Sequence, residues 1–227
     1  SFANATIKVE EGGSFVNAVN CVDCNAKQVQ GVIEKRLHGE MWNFIGMAGH
    51  QNMEPLHDAY NAAQPVGCLR FWALKYDYGE NMNMWNENNY LMWSEPVAIG
   101  EGVLIYTNGN NVFVNIDDKT NDDNGEQTPT VVNFVNTDIT ITKNVGQNTN
   151  GNWLALANPY PARLDVSEVL SGIAAGNNGD IQGGYVYVRD GNNPDWTTKS
   201  SGTIEAAQGF FVQFDSPGYK SVTLSKT

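Results

Sequence analysis

The densest run of residues able to recognise a ligand lies between Phe71 and Trp93. It holds Trp72, Tyr76, Tyr78, Trp85, Tyr90 and Trp93, interleaved with Asn81, Asn83, Asn86, Asn88 and Asn89. Flat rings bind a sugar by covering the C–H surface of its face, and amides bond its hydroxyls. Aromatic rings beside asparagines are therefore the chemistry of a glycan site. The competing reading is structural: Trp72, Leu74 and Tyr76 share strand parity and would face a core. Trp85, Asn86, Asn88, Tyr90 and Trp93 are the candidate ligand-binding residues, for a glycan or a protein partner.

Metal chemistry has three candidate places. Asp117, Asp118, Asp122 and Asp123, with Glu126 nearby, offer the hard oxygens that calcium takes. The helical calcium-loop spacing fails, because placing Gly125 sixth puts Val131 twelfth, where a glutamate is needed. A solvated acidic loop is the alternative. His50, Glu54, His57 and Asp58 are zinc-ligand types, but Pro55 interrupts them and their spacing matches no zinc pattern. Cys21 and Cys24 frame C-V-D-C, and Cys68 stands alone. An odd count is not a disulfide framework, and no second ligand pair completes a zinc site, so plain thiols or one local disulfide are expected.

Catalytic motifs do not emerge. There is no G-x-S-x-G, and Gly12-Gly13 and Gly183-Gly184 lack the Lys-Ser/Thr partner of a phosphate loop. Cys68 with a histidine is too generic a pair to carry a mechanism. A non-enzymatic role is expected, with no cofactor beyond possible calcium.

Composition narrows the partners. The chain has 227 residues and a net charge of −12, from 25 acidic and 13 basic residues. With no visible basic patch, nucleic acid and anionic membrane surfaces are disfavoured. No run approaches the roughly 18 apolar residues of a membrane span. Ser1 onward already reads as strand rather than leader.

Strands and turns must position these residues, and one segment sets the pattern. Trp153-Leu-Ala-Leu-Ala reads as a buried strand that Asn158-Pro159 and Pro161 stop, because proline fixes φ and donates no hydrogen bond. Asp165 reads as a helix N-cap with Glu168 completing a box, Val166, Val169, Leu170 and Ile173 follow at helical spacing, and Gly176 stands where a C-terminal cap would.

That segment recurs. Trp42-Asn-Phe-Ile-Gly matches it at an offset of 111, Trp42 to Trp153, and Trp85 matches Trp196 at the same offset. Each copy then runs through a loop, a short helix (54–63 with Pro55 in its first turn, and 165–175) and an aromatic strand. Gly102-Val-Leu-Ile-Tyr matches Gly209-Phe-Phe-Val-Gln at an offset of 107, so the first copy carries about four extra residues. Each copy is expected to close with a hairpin, at Thr107-Asn-Gly-Asn and at Asp215-Ser-Pro-Gly.

The division is 1–41 as leading strands, 42–116 as copy one, 117–152 as a linking β segment with the acidic loop, and 153–227 as copy two. Either copy alone would be marginal, so the two are expected to share one pseudo-symmetric domain. The expected fold is mostly β: a sandwich, jelly-roll-like, with internal duplication and two short helices.

Two motifs carry a family resemblance. N-P-Y-P at 158–161 and Q-G-F-F-V at 208–212 resemble a unit of large secreted surface proteins in Bacteroidetes-type bacteria, which reads W-N-L-x-G-N-P-Y-P, an aromatic strand, then Q-G-F-F-V. Upstream, Val32-Ile-Glu-Lys-Arg-Leu before Trp42 is similar to that group's E-R…W element, and Gly12-Gly-Ser-Phe-Val to its short stacked β repeats. The chain departs at Ala157, where glycine is usual, and in copy one, where Gly46-Met-Ala-Gly replaces the proline turn. The resemblance implies export by type IX secretion and a place at the extracellular or outer-membrane surface. A chain ending at Thr227 without a sorting tail reads as an internal module. The function expected is adhesion or glycan binding; a structural spacer with no small ligand is the alternative, and a hydrolase the third.

Overall fold

The computed structural model describes residues 7–14, 30–46, 53–62, 71–76, 78, 97–116, 120–121, 127–128, 132–146, 152–189 and 195–226. Before and through copy one run β1 (Ile7–Val9), β2 (Gln30–Leu37), β3 (Met41–Gly46), α1 (Glu54–Ala62), β4 (Phe71–Lys75), β5 (Gly102–Thr107) and β6 (Val112–Ile116). The linking segment holds β7 (Thr120–Asn121), β8 (Gln127–Thr128) and β9 (Val132–Asn133). Next come β10 (Ile139–Val145), β11 (Asn152–Ala157), β12 (Leu164–Asp165), α2 (Val166–Gly176), β13 (Val186–Arg189), β14 (Trp196–Lys199), β15 (Thr203–Ile204), β16 (Gly209–Phe214) and β17 (Gly218–Leu224). The described residues are mostly β with two short helices, a sandwich type of fold.

The strands that open on Gly102-Val-Leu-Ile-Tyr and Gly209-Phe-Phe-Val take the central positions. In copy one β5 lies between β3 and β4, and in copy two β16 lies between β11 and β13, with β14 added outside. A continuous apolar run suits a strand covered on both faces. One face of β5 (Val103, Ile105) packs with Ile33 and Leu37 of β2 and with Leu56 and Tyr60 of α1. One face of β16 (Phe210, Val212, Phe214) packs with α2 and with Ile141 and Val222 of the β10–β17 pair. The opposite faces meet each other, with Phe44, Leu74, Tyr76 and Leu104 against Ala155 and Phe211. Phe44 and Phe211 stack at 4.7 Å between centroids.

The strand register repeats the sequence offsets. Trp42 pairs with Tyr106 and Trp153 with Gln213; Gly46 pairs with Gly102 and Ala157 with Gly209. The two copies also exchange equivalent backbone bonds. Gly46 N–H donates to Ala207 at 3.0 Å, and Ala157 N–H donates to Gly100 at 2.7 Å. Ile45 bridges Gln208, and Leu156 bridges Glu101. Position 46 corresponds to 157, and position 100 to 207, so these bonds are related by a pseudo-two-fold. Gly100 (φ 84°) and Ala207 (φ 55°) share the left-handed turn conformation, one with glycine and one without.

The repeat extends further upstream than sequence matching reaches. β2 pairs with β6 as β10 pairs with β17, and buried Ile33 and Leu37 correspond to Ile141 and Val145. Lys35 and Lys143 fall at matching places between them. Little identity survives in these strands, because only their apolar alternation is constrained.

Two expectations need correcting. The copies do not close with hairpins: β6 pairs with β2 rather than β5, and β17 pairs with β10 rather than β16. The reason is that β5 and β16 already have neighbours on both edges, so the next strand must cross to the other layer. Second, Gly176 is not the C-cap of α2. The helix runs through it to a cap at Asn177, and Gly179 N–H closes the end on the Ala174 carbonyl at 2.7 Å. A Cβ at Gly176 would lie 3.3 Å from the Ser221 carbonyl, so glycine here accommodates the backbone of β17.

Candidate functional site

The Asp165 cap forms as expected. Its carboxylate accepts from Ser167 N at 2.8 Å and Glu168 N at 3.1 Å, and its pKa is held down by the Ser167 hydroxyl first and then by these amides. Asn158 holds the proline loop. Fully buried, it donates to the carbonyls of Ala162 (2.7 Å), Ile204 (3.1 Å) and Glu205 (3.1 Å), and its Oδ1 accepts from Tyr160 N at 2.9 Å. Tyr160 reaches Leu224 O at 2.5 Å and Thr137 O at 3.0 Å, and burial pushes its phenol up to about 12. The N-P-Y-P motif is thus a structural clasp between β11, β15 and β17.

Of the candidate ligand-binding residues, Trp85, Asn86, Asn88, Tyr90 and Trp93 all lie outside the described residues. So do the candidate calcium ligands Asp117, Asp118, Asp122 and Asp123, the cysteines Cys21, Cys24 and Cys68, and His50. β7 falls between Asp118 and Asp122 of the acidic stretch and pairs with β8, which follows Glu126. His57 has both ring nitrogens engaged, Nδ1 with Asp58 at 3.0 Å and Nε2 with Asn61 at 2.8 Å. Among the described residues no group of three or more His, Cys, Asp or Glu is placed to hold a metal ion. Among them too, no helix is long and apolar enough to cross a membrane, which leaves β-barrels untouched.

The aromatic strand divides. Leu74 and Tyr76 are buried between the copies as parity predicts, but Trp72 is 39% exposed. It stacks on Tyr106 at 5.4 Å, and Tyr106 meets Trp42 at 5.3 Å. These rings stand on β4, β5 and β3 in direct register. Neighbouring strands are about 4.8 Å apart, which is what allows three rings to form a continuous shelf. In copy two the central ring is replaced by Gln213, opposite Trp153.

The shelf ends at a cavity. Trp42 and Phe44 form part of its wall, and its volume is about 370 Å³. It lies on the seam between the copies, with Lys35 and Arg36 contributed by β2 and Arg189, Lys199 and Gln208 by copy two. Four basic side chains line it against two carboxylates, Glu11 and Glu205, in a chain whose net charge is −12. Both carboxylates are already engaged: Glu11 with Lys35 at 3.1 Å, and Glu205 with Arg163 at 3.0 Å. Lys199 donates to the Thr203 carbonyl at 3.0 Å, and Arg36 lies over Phe113 at 5.8 Å. Arg189 lies over Trp196 at 5.8 Å, and among the described residues its buried Nε has no hydrogen-bond partner. Desolvation lowers the Arg189 pKa, with Asp195 opposing the shift, yet a guanidinium stays charged at neutral pH.

The pseudo-symmetric place on the other side carries different groups. There Glu101, equivalent to Gln208, pairs with Lys143 at 3.0 Å, and Lys143 sits 5.4 Å over the Tyr78 ring. Tyr78 is partly buried, its hydroxyl accepts from Ala155 N at 3.1 Å, and desolvation raises its pKa well above the usual phenol range. On the cavity side Lys35, equivalent to Lys143, pairs with Glu11 instead, so the excess positive charge there comes from Arg36, Arg189 and Lys199. These residues are missed in a linear reading because each is an ordinary isolated charge or ring. Comparing the two copies position by position exposes them, at Tyr106 against Gln213 and Glu101 against Gln208.

Compared with protein-family models, with curated proteins and with solved structures, the chain matches none.

Proposed function

We propose that this chain is a non-catalytic glycan-binding or adhesion module of a secreted surface protein, and that the shelf and its cavity form the contact site. The observation carrying this reading is the in-register row Trp72–Tyr106–Trp42, which runs from an exposed ring to a cavity wall. Successive rings suit successive sugar faces, and the cavity offers polar groups to the unit at the end. Engagement of Glu11 and Glu205 by Lys35 and Arg163 favours binding over hydrolysis, since glycoside cleavage needs two carboxyl groups free to act. Placement at the cell surface rests on the N-P-Y-P and Q-G-F-F-V resemblance.

A glycan array probed with the wild type and with Trp72→Ala tests this reading. Trp72 is an exposed end of the row, so its loss leaves the core intact. Binding that falls with Trp72→Ala supports the shelf. Binding unaffected by it moves the contact elsewhere, and no binding favours the spacer reading. That second reading draws on the reciprocal bonds at Gly46–Ala207 and Ala157–Gly100, which tie the copies together as a structural element requires.

A further inference from the structure

Resting on that reading of the site, we infer that the cavity takes the anionic group of an acidic sugar, a uronic acid or a sulfated hexose, with Arg189 and Lys199 as its counter-charges. Three observations converge. The wall carries four basic side chains and two carboxylates, and both carboxylates are already spent on cations. Among the described residues neither Arg189 nor Lys199 forms an ion pair at contact distance; the Asp195 charge acts on Arg189 without one. Arg189 lines the cavity, and among the described residues no acceptor holds its Nε, so no protein hydrogen bond is given up at that atom when an anion meets the guanidinium. The equivalent place on the other side shows what a carboxylate does there: Glu101 pairs with Lys143, which sits over the Tyr78 ring. Gln208 withholds that carboxylate on the cavity side. At about 370 Å³ the cavity is at the small end for ligand sites, which fits one sugar unit rather than a longer segment. The aromatic shelf then holds neighbouring units, so the acidic unit sits at the inner end.

The test is calorimetric titration of the chain with oligosaccharides of galacturonate, glucuronate and mannuronate, their carboxyl-reduced neutral counterparts, and sulfated galactose oligosaccharides. The expected result is that one acidic series binds, while its neutral counterpart binds at least about tenfold more weakly, the equivalent of one charge-assisted hydrogen bond. Comparing the uronate and sulfate arms identifies which anion is taken. Gln208→Glu should weaken acidic binding by about tenfold or more, because it supplies an internal carboxylate as Glu101 does opposite. Glu101→Gln should leave binding unchanged. Lys199→Met provides a second variant should Gln208→Glu perturb folding, and it should weaken acidic binding alone. Equal binding of acidic and neutral oligosaccharides, still dependent on Trp72, would overturn the charge inference and leave the glycan reading standing. Binding of no oligosaccharide in any series would overturn both.

Discussion

Where the pseudo-two-fold passes between the copies, only one methyl group fits. Gly46 and Ala157 are equivalent positions, and a Cβ built on Gly46 would lie 2.0 Å from the Ala157 Cβ and 3.3 Å from the Glu101 carbonyl. Two carbons need nearly twice the first distance, and both backbones are fixed by the reciprocal bonds at 3.0 and 2.7 Å. Gly46→Ala should therefore cost about 2–3 kcal/mol, the upper part of the range for overpacking a core. Ala157→Gly loses one buried methyl, about 0.8 kcal/mol, and adds strand flexibility worth about 0.5–1 kcal/mol, so it should cost about 1.5 kcal/mol. If the two changes acted independently, the double variant would lose about 4 kcal/mol. The steric argument requires otherwise: Gly46→Ala with Ala157→Gly moves the methyl across the axis, removes the clash and should return stability to within about 1 kcal/mol of the parent. The residual reflects the contact with Glu101 O. Urea unfolding of the four proteins, read by tryptophan fluorescence and by far-ultraviolet circular dichroism, measures this coupling. An additive double variant would refute the reasoning, since it would mean that Gly46 is required by its own strand and not by the partner copy. The same geometry explains why alanine is accepted at 157: position 46 has given up its side chain.

Other outcomes follow from the same contacts. Asn158→Ala strands buried carbonyls of Ala162 and Ile204 and the Tyr160 amide, and should cost about 3–5 kcal/mol by denaturant unfolding. A cost below about 1 kcal/mol would remove Asn158 as the clasp of the proline loop. Asn158→Asp should be worse than alanine at neutral pH and recover on acidification, because burial among carbonyls raises the folded pKa and stabilises the protonated acid. Asp180 accepts from Asp215 N at 2.8 Å, Ser216 N at 3.0 Å and Lys220 Nζ. Partial desolvation pushes its carboxyl up, but the bonds from Lys220 and Ser216 outweigh this and hold it at about 2. Its folded pKa is depressed, so its contribution is complete above the unfolded value and fades as pH falls from about 4 to 2. Asp180→Asn should cost about 1 kcal/mol at pH 7, after allowance for solvent screening, and nothing measurable near pH 2. A pH-independent difference would assign Asp180 a purely geometric role.

Much of the local structure was legible from spacing. The strand of Trp153, the Asp165 cap and the apolar face of α2 each depend on residues within a turn or two of one another. Their periods and capping chemistry act at that range. The offsets of 111 and 107 carried through to strand register, because pairing within one copy is set by the same apolar pattern as in the other. The expected hairpins failed for a reason that no local pattern contains: whether β6 can pair with β5 depends on whether β4 already has, and that is settled by strands tens of residues away.

The site belongs to the second category. By itself the sequence determined that this is a β-rich chain with a repeated pattern, two short helices, an Asp165 cap on the second and a strand stopped at Asn158-Pro159, since those features come from φ restriction, side-chain alternation and hydrogen bonds between near neighbours. Only the tertiary structure brought Lys35 and Arg36 beside Arg189 and Lys199, and placed Trp42, Tyr106 and Trp72 in one row. The cavity exists because two copies pack face to face with different residues at equivalent places, and charge and space left unmatched across that seam are properties of neither copy alone.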